Sequence, residues 1–99
     1  MASVRLLRRA EAELEDAVAW HETRSPRVVR RFEDAVTVAL DRLGAMPEIY
    51  ALVDDQHRLC PVRKSQYVIV YQYKKDIDEV VVVAVVHARR DPRTWQSGN

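Results

Sequence analysis

A run of seven apolar residues, VVVVAVV at 80–86, constrains this chain more than any other feature of its sequence. Valine branches at Cβ and is stiff at χ1, so such a run favours extended backbone over helix. A half-exposed strand would alternate apolar with polar, but here both faces are apolar, the pattern of a central strand covered on two sides. Residues 67–73, YVIVYQY, have the same character, and KKDID at 74–78 connects the two runs as a hairpin. Ahead of them, RLCPVR at 58–63 reads as a further strand. Pro61 has no N–H to donate, which places that strand at a sheet edge.

The first half of the chain has a different period. After a short strand at 4–7, apolar residues recur at Leu7, Ala10, Leu14, Ala17/Val18 and His21, the spacing of an amphipathic helix. Glu11, Glu13, Glu15 and Asp16 load its early turns with negative charge, as the helix dipole favours. Ser25-Pro26 breaks that helix and starts another, serine as the cap and proline where no N–H is needed. Phe32, Val36, Ala39/Leu40 and Leu43 form its buried stripe, with Arg27, Arg30, Arg31, Asp34 and Asp41 on the wet face. Gly44 followed by Pro47 is a stop signal. The expected fold class is α+β in the order β-α-α-β-β-β, a helical hairpin packed on one face of a small, mainly antiparallel four-stranded sheet. The opposite sheet face would carry Val68, Val70 and alternate members of the 80–86 run. That face stays partly apolar until a partner or the C-terminal segment shields it.

Ninety-nine residues make one domain, 1–99, with 96–99 expected to be a disordered tail. The 47% apolar content with only two Gly suits a folded chain. No run of about 18 apolar residues spans a membrane, and the start MASVR lacks the apolar core of a secretory signal. Cys60 is the sole cysteine, so no internal disulfide forms, and it reads as core packing. The net charge of +1 conceals an asymmetry: 8 Arg against 11 acids in residues 1–55, and 8 basic residues against 4 acids in 56–99. A surface that meets nucleic acid or an acidic protein is therefore expected from the second half.

The ending VVHARRDPRTW at 85–95, with YVIVY at 67–71 and the element order, resembles the RelE/ParE superfamily of toxins from bacterial type II toxin–antitoxin pairs. The resemblance covers nearly the whole chain. It is carried by the helix-hairpin spacing, Phe32, Pro47, Arg58, Tyr71, His87-Ala88-Arg89-Arg90-Asp91-Pro92 and Trp95, and the His-x-Arg-Arg-Asp-Pro ending is similar to the ParE branch. Membership implies a cytoplasmic bacterial toxin neutralised by a cognate antitoxin, with no cofactor and no metal. ParE-like members inhibit DNA gyrase; RelE-like members cleave mRNA on the ribosome.

Metal-free RNA cleavage needs a proton acceptor, a proton donor and cations for the charged phosphorane. RelE-like toxins place a cation beside the tyrosine of the third strand and a tyrosine or histidine near the C-terminus. Here Val68 follows Tyr67, and no tyrosine follows Tyr73. Near-neutral charge also suits a protein target better than ribosomal RNA. The expectation is a gyrase inhibitor with no catalytic residues. The alternative is an mRNA endonuclease using Arg58, His87 and Arg89, and a third reading is a non-toxic relative that only binds antitoxin. Target or antitoxin contacts are expected from Arg58, Val68, Val70, His87, Arg89, Arg90, Arg93 and Trp95, with no membrane contact and no sequence-specific DNA binding without the antitoxin. His87 reads either as an acid–base group or as a residue that orients the chain leaving the sheet. Arg58 reads either as an active-site cation or as a partner of Asp54 or Asp55. His21 is a packing residue, and His57 has no evident partner. Tyr67, Tyr71 and Tyr73 alternate onto one face as a core layer.

Overall fold

Two helices form where the sequence has period 3.6, and strands where it does not. The computed structural model describes residues 1–89, with β1 (Ser3–Leu6), α1 (Arg8–Glu22), α2 (Pro26–Ala45), β2 (His57–Pro61), β3 (Tyr67–Lys74) and β4 (Glu79–His87). Ser25 divides the helices as expected: its Oγ accepts the Val28 N–H at 3.1 Å while Pro26 takes the first helical position. Gly44 does not end α2, which runs on to Ala45, and its backbone is not left-handed. Its value is space. A Cβ there would stand 3.3 Å from the Ala2 carbonyl, and the Gly44 carbonyl accepts the Ala2 N–H at 2.8 Å, so the end of α2 lies directly on the start of β1.

The sheet order is β1-β4-β3-β2, with β1 parallel to β4 and the other pairs antiparallel. The two valine-rich strands are central and β2, with Pro61, is an edge. A 3₁₀ turn, Lys75–Ile77, joins β3 to β4. Both helices pack on one face, where Ala10, Ala17, Phe32, Val36, Ala39 and Leu43 meet Cys60, Ile69, Tyr71, Val80, Val82 and Val85. Tyr67 and Tyr73 pack against this same core, so the tyrosines do form one layer.

Simple alternation fails along β4. Between Val70 and Tyr71 the cross-strand partner jumps from Ala84 to Val82, leaving Val83 as an extra residue. The bulge reverses the phase: Val80, Val82 and Val85 face the helices, while Ala84 and Val86 join Val70 on the other face. On that second face Leu59 and Val68 are half-buried beside those three buried residues, and among the described residues no helix contributes to the cluster.

β4 also outruns its parallel neighbour. β1 ends opposite Val82, and farther along β4 the Val85 amide donates to Glu13 Oε1 of α1 at 2.9 Å. Glu13 is held in turn by Arg9 at 3.4 Å. A helix carboxylate thus does what a strand carbonyl would do, and locks α1 over the end of β4.

Candidate functional site

The far end of β4 carries the residues that the sequence made most conspicuous. His87 pairs across the sheet with Tyr67, and their rings meet edge to face at 5.3 Å. Tyr67 also contacts Phe32 at 5.6 Å and His21 at 5.7 Å, and His21 stacks on Phe32 at 4.0 Å. Trp20 lies edge-on to His21 at 4.9 Å, with the Arg24 guanidinium 4.3 Å from its ring centroid. A continuous aromatic wall therefore runs from the end of α1 to the end of β4. The Arg89 N–H donates to His87 Nδ1 at 3.2 Å, which leaves His87 with its proton on Nε2. His21 has the opposite tautomer: Nδ1–H donates to the Ala17 carbonyl at 2.6 Å, leaving Nε2 as the acceptor.

This wall bounds a cleft of about 540 Å³ whose rim carries Arg24, Lys64 and Arg89 and, among the described residues, no carboxylate. Lys64 sits in the left-handed region at φ 58°, in the β2–β3 turn. Arg24 lies in the turn between α1 and α2, Lys64 precedes β3 and Arg89 follows β4, so the rim is assembled from three distant parts of the chain. A second groove, between α2 and the β2 edge, is lined by Arg31, Arg42, Arg63 and Lys64 with Asp34. The basic surface is therefore not confined to the second half of the sequence, because α2 arginines from the first half complete it.

His87 and Arg89 come together; Arg58 does not join them. Arg58 is opposite Tyr71 and His87 is opposite Tyr67, so they are separated by four residues along β3, about 13 Å, and by the width of that strand. The Arg58 guanidinium donates to the Tyr50 carbonyl at 2.6 Å and pairs with Glu48 at 3.7 Å, not with Asp54 or Asp55. It braces the loop that leaves α2, as does Tyr71, whose hydroxyl donates to the Pro47 carbonyl at 2.8 Å. Burial pushes the Tyr71 hydroxyl up to about 12, against the opposing pull of the Arg58 charge. Burial likewise raises the Cys60 thiol, consistent with its place in the core.

Val70 is fully buried, so of the two sheet-face valines only Val68 keeps surface. Arg90, Arg93, Trp95 and the 96–99 tail lie outside the described residues. His57 does have partners: Asp54 at 3.0 Å, and the Gln72 side chain 2.9 Å from Nε2. Asp54 also accepts the His57 and Gln56 backbone N–H groups, a turn that the local Asp-x-x-His spacing could have suggested. Sequence reasoning missed Trp20, Arg24, Lys64 and Tyr67 as site residues, and no local signal marks them, since only folding brings them to one cleft.

A family model described as the ParE toxin of the type II toxin–antitoxin system parDE matches residues 4–92. No curated protein matches the sequence. Among solved structures, the chain is similar to the RelBE2 toxin–antitoxin complex of Mycobacterium tuberculosis, with TM-score 0.62 and 21% identity over 91% of this chain and 93% of that one. It is similar also to the isolated E. coli RelE toxin, with TM-score 0.64 and 18% identity over 99% and 96% of the respective chains. At these identities the structural likeness is one of fold.

Proposed function

This chain belongs to the ParE toxin family of type II toxin–antitoxin systems, and from that premise we propose that it acts in the bacterial cytoplasm by binding DNA gyrase, without chemistry of its own, until a cognate antitoxin covers it. The observation that carries this reading is the dispersal of the candidate ribonuclease set. Arg58 is committed to Tyr50 and Glu48, on the far side of β3 from β4 and four residues along that strand from the register of His87, about 13 Å. A phosphorane would need those cations around one phosphate. Inhibition of a protein target needs only a shaped surface, and the exposed Arg89 with the half-buried His87 at the end of β4 supplies one.

The antitoxin has a separate place. The half-buried Leu59 and Val68, the β2 edge and the basic α2–β2 groove suit an acidic amphipathic segment laid along the sheet margin. The RelBE2 toxin–antitoxin complex of M. tuberculosis is in keeping with such a partner.

The test is supercoiling of relaxed plasmid by gyrase with rising amounts of the chain, antitoxin-bound chain serving as control. Inhibition relieved by the antitoxin, and weakened at least about tenfold by Arg89→Glu, is expected; a contact charge reversed at an interface costs on that order. Undisturbed supercoiling by folded, antitoxin-competent chain overturns the gyrase reading. Ribosome-bound mRNA cut in that case would identify an endonuclease, and intact mRNA a non-toxic antitoxin binder.

A further inference from the structure

The cleft beside the aromatic wall holds a buried acceptor that nothing in the fold uses. His21 is 6% exposed, its Nδ1–H is spent on the Ala17 carbonyl, and its Nε2 has no hydrogen-bond partner among the described residues. Buried polar atoms are ordinarily satisfied, so such an atom on a residue that lines a cleft suits a donor carried by a ligand. The Tyr67 ring contacts both imidazoles, and its hydroxyl is likewise without a hydrogen-bond partner among the described residues. His87 presents the complementary function, a donor Nε2–H.

The rim adds charge of one sign. Among the described residues Arg24, Lys64 and Arg89 form no ion pair, and no Asp or Glu lines the cleft with them. Three unneutralised cations around one opening select an anion. Trp20, 46% exposed, and Val28, 37% exposed, contribute apolar surface on the same cleft. At about 540 Å³ the space is far larger than one phosphate and falls in the range of small-molecule sites, about 300–1,000 Å³.

We infer that this cleft binds a phosphorylated nucleoside, the phosphate at the Arg24–Lys64–Arg89 rim and a sugar hydroxyl or base amino group donating to His21 Nε2. Each part of such a ligand meets a matching group: anion to cations, donor to the orphaned acceptor, flat ring to Trp20. Inorganic phosphate would leave His21 and Trp20 unused, and an uncharged nucleoside would leave the rim unused. The inference rests on the cleft and not on the gyrase reading, since equilibrium binding and supercoiling are separate measurements.

Isothermal calorimetry of the full chain with adenosine 5′-monophosphate, adenosine, inorganic phosphate and an RNA hexamer lacking terminal phosphates tests it. Adenosine monophosphate should bind at least about tenfold more tightly than adenosine or phosphate alone, as linked sub-binding implies. Lys64→Gly places glycine where the backbone is already left-handed, so the fold is not at risk, and should weaken the monophosphate at least about fivefold by removing one cation. His21→Phe keeps the stack on Phe32 but lacks the acceptor; in folded protein it should erase the advantage of the monophosphate over phosphate. Monophosphate binding no tighter than phosphate, binding of the hexamer only, or full affinity in Lys64→Gly overturns the inference.

Discussion

Tyr71 shows how one side chain serves both packing and polarity. Its ring is fully buried between the sheet and the helices, while its hydroxyl reaches the Pro47 carbonyl at the exit of α2. Only the neutral phenol fits, and burial pushes its ionisation up to about 12 from the ordinary value near 10. A group whose folded value is raised stabilises the fold fully below the unfolded value and loses that stability as pH rises through the folded one. Between about pH 10 and about pH 12 the wild type should therefore lose up to about 1.4 kcal/mol per pH unit from this residue. Tyr71→Phe should lack that slope, although it is less stable at neutral pH by about 1 kcal/mol because Pro47 loses its donor. Urea midpoints of both proteins at about pH 9 and about pH 11.5 check this. The raised Cys60 thiol acts in the same direction in both proteins and cancels in the comparison. Equal alkaline loss in the two would show that Tyr71 ionises freely.

At the scale of elements, the join between α1 and β4 is the most exacting. β1 stops opposite Val82, yet β4 continues to His87, and the Glu13 carboxylate takes the Val85 amide that has outrun β1. Glu13→Leu should leave that amide unsatisfied and destabilise the chain by about 1–3 kcal/mol, whereas Glu13→Gln retains an acceptor and should lose much less. Denaturation of the two variants, with hydrogen exchange at the Val85 amide, separates the cases: exchange should accelerate in the leucine variant alone. If both variants match the wild type, the contact contributes nothing to stability. The consequence reaches the candidate site, because α1 carries Trp20 and His21 and β4 carries His87, so this carboxylate helps set the cleft between them.

Among the described residues the molecule is one-sided. Helices cover one sheet face; on the second, Leu59 and Val68 keep surface beside the buried Val70, Ala84 and Val86, and the outer backbone of the β2 edge is bridged among the described residues only near its start, by Leu52 and Val53. Open edges and apolar faces invite association. The chain expressed alone should self-associate, and the antitoxin-bound chain should be monodisperse in light scattering. Leu59→Lys, placing a charge on that face near the edge, should reduce self-association of the free chain. A wild-type chain that is monodisperse alone at high concentration removes this account. No helix among the described residues is long and apolar enough to cross a membrane.

Much of this architecture was legible because its signals are local. The Ser25-Pro26 cap, the Phe32–Val36–Leu43 stripe, the valine-rich central strands and the edge position of Pro61 each follow from period, propensity or a missing N–H, and each was found where expected. The family was legible for a similar reason: an ordered set of residues along the chain survives as a pattern in one dimension. The Val83 bulge was not legible, since valine is equally at ease on either face of a strand and only the pairing with β3 decides where the extra residue falls. Gly44 was legible as a glycine but misread as a terminator, because its constraint is contact with Ala2 and not its own φ. Arg58 found Glu48 and Tyr50 instead of the nearer Asp54 and Asp55, since the loop after α2 folds back over β2 while Asp54 turns to His57. The sequence by itself determined the elements, their order and the family, all properties of neighbouring residues. Only the tertiary structure decided that Arg58 stands apart from His87, and that Arg24, Lys64, His21 and Arg89 share one cleft, because those distances depend on how the elements close on each other.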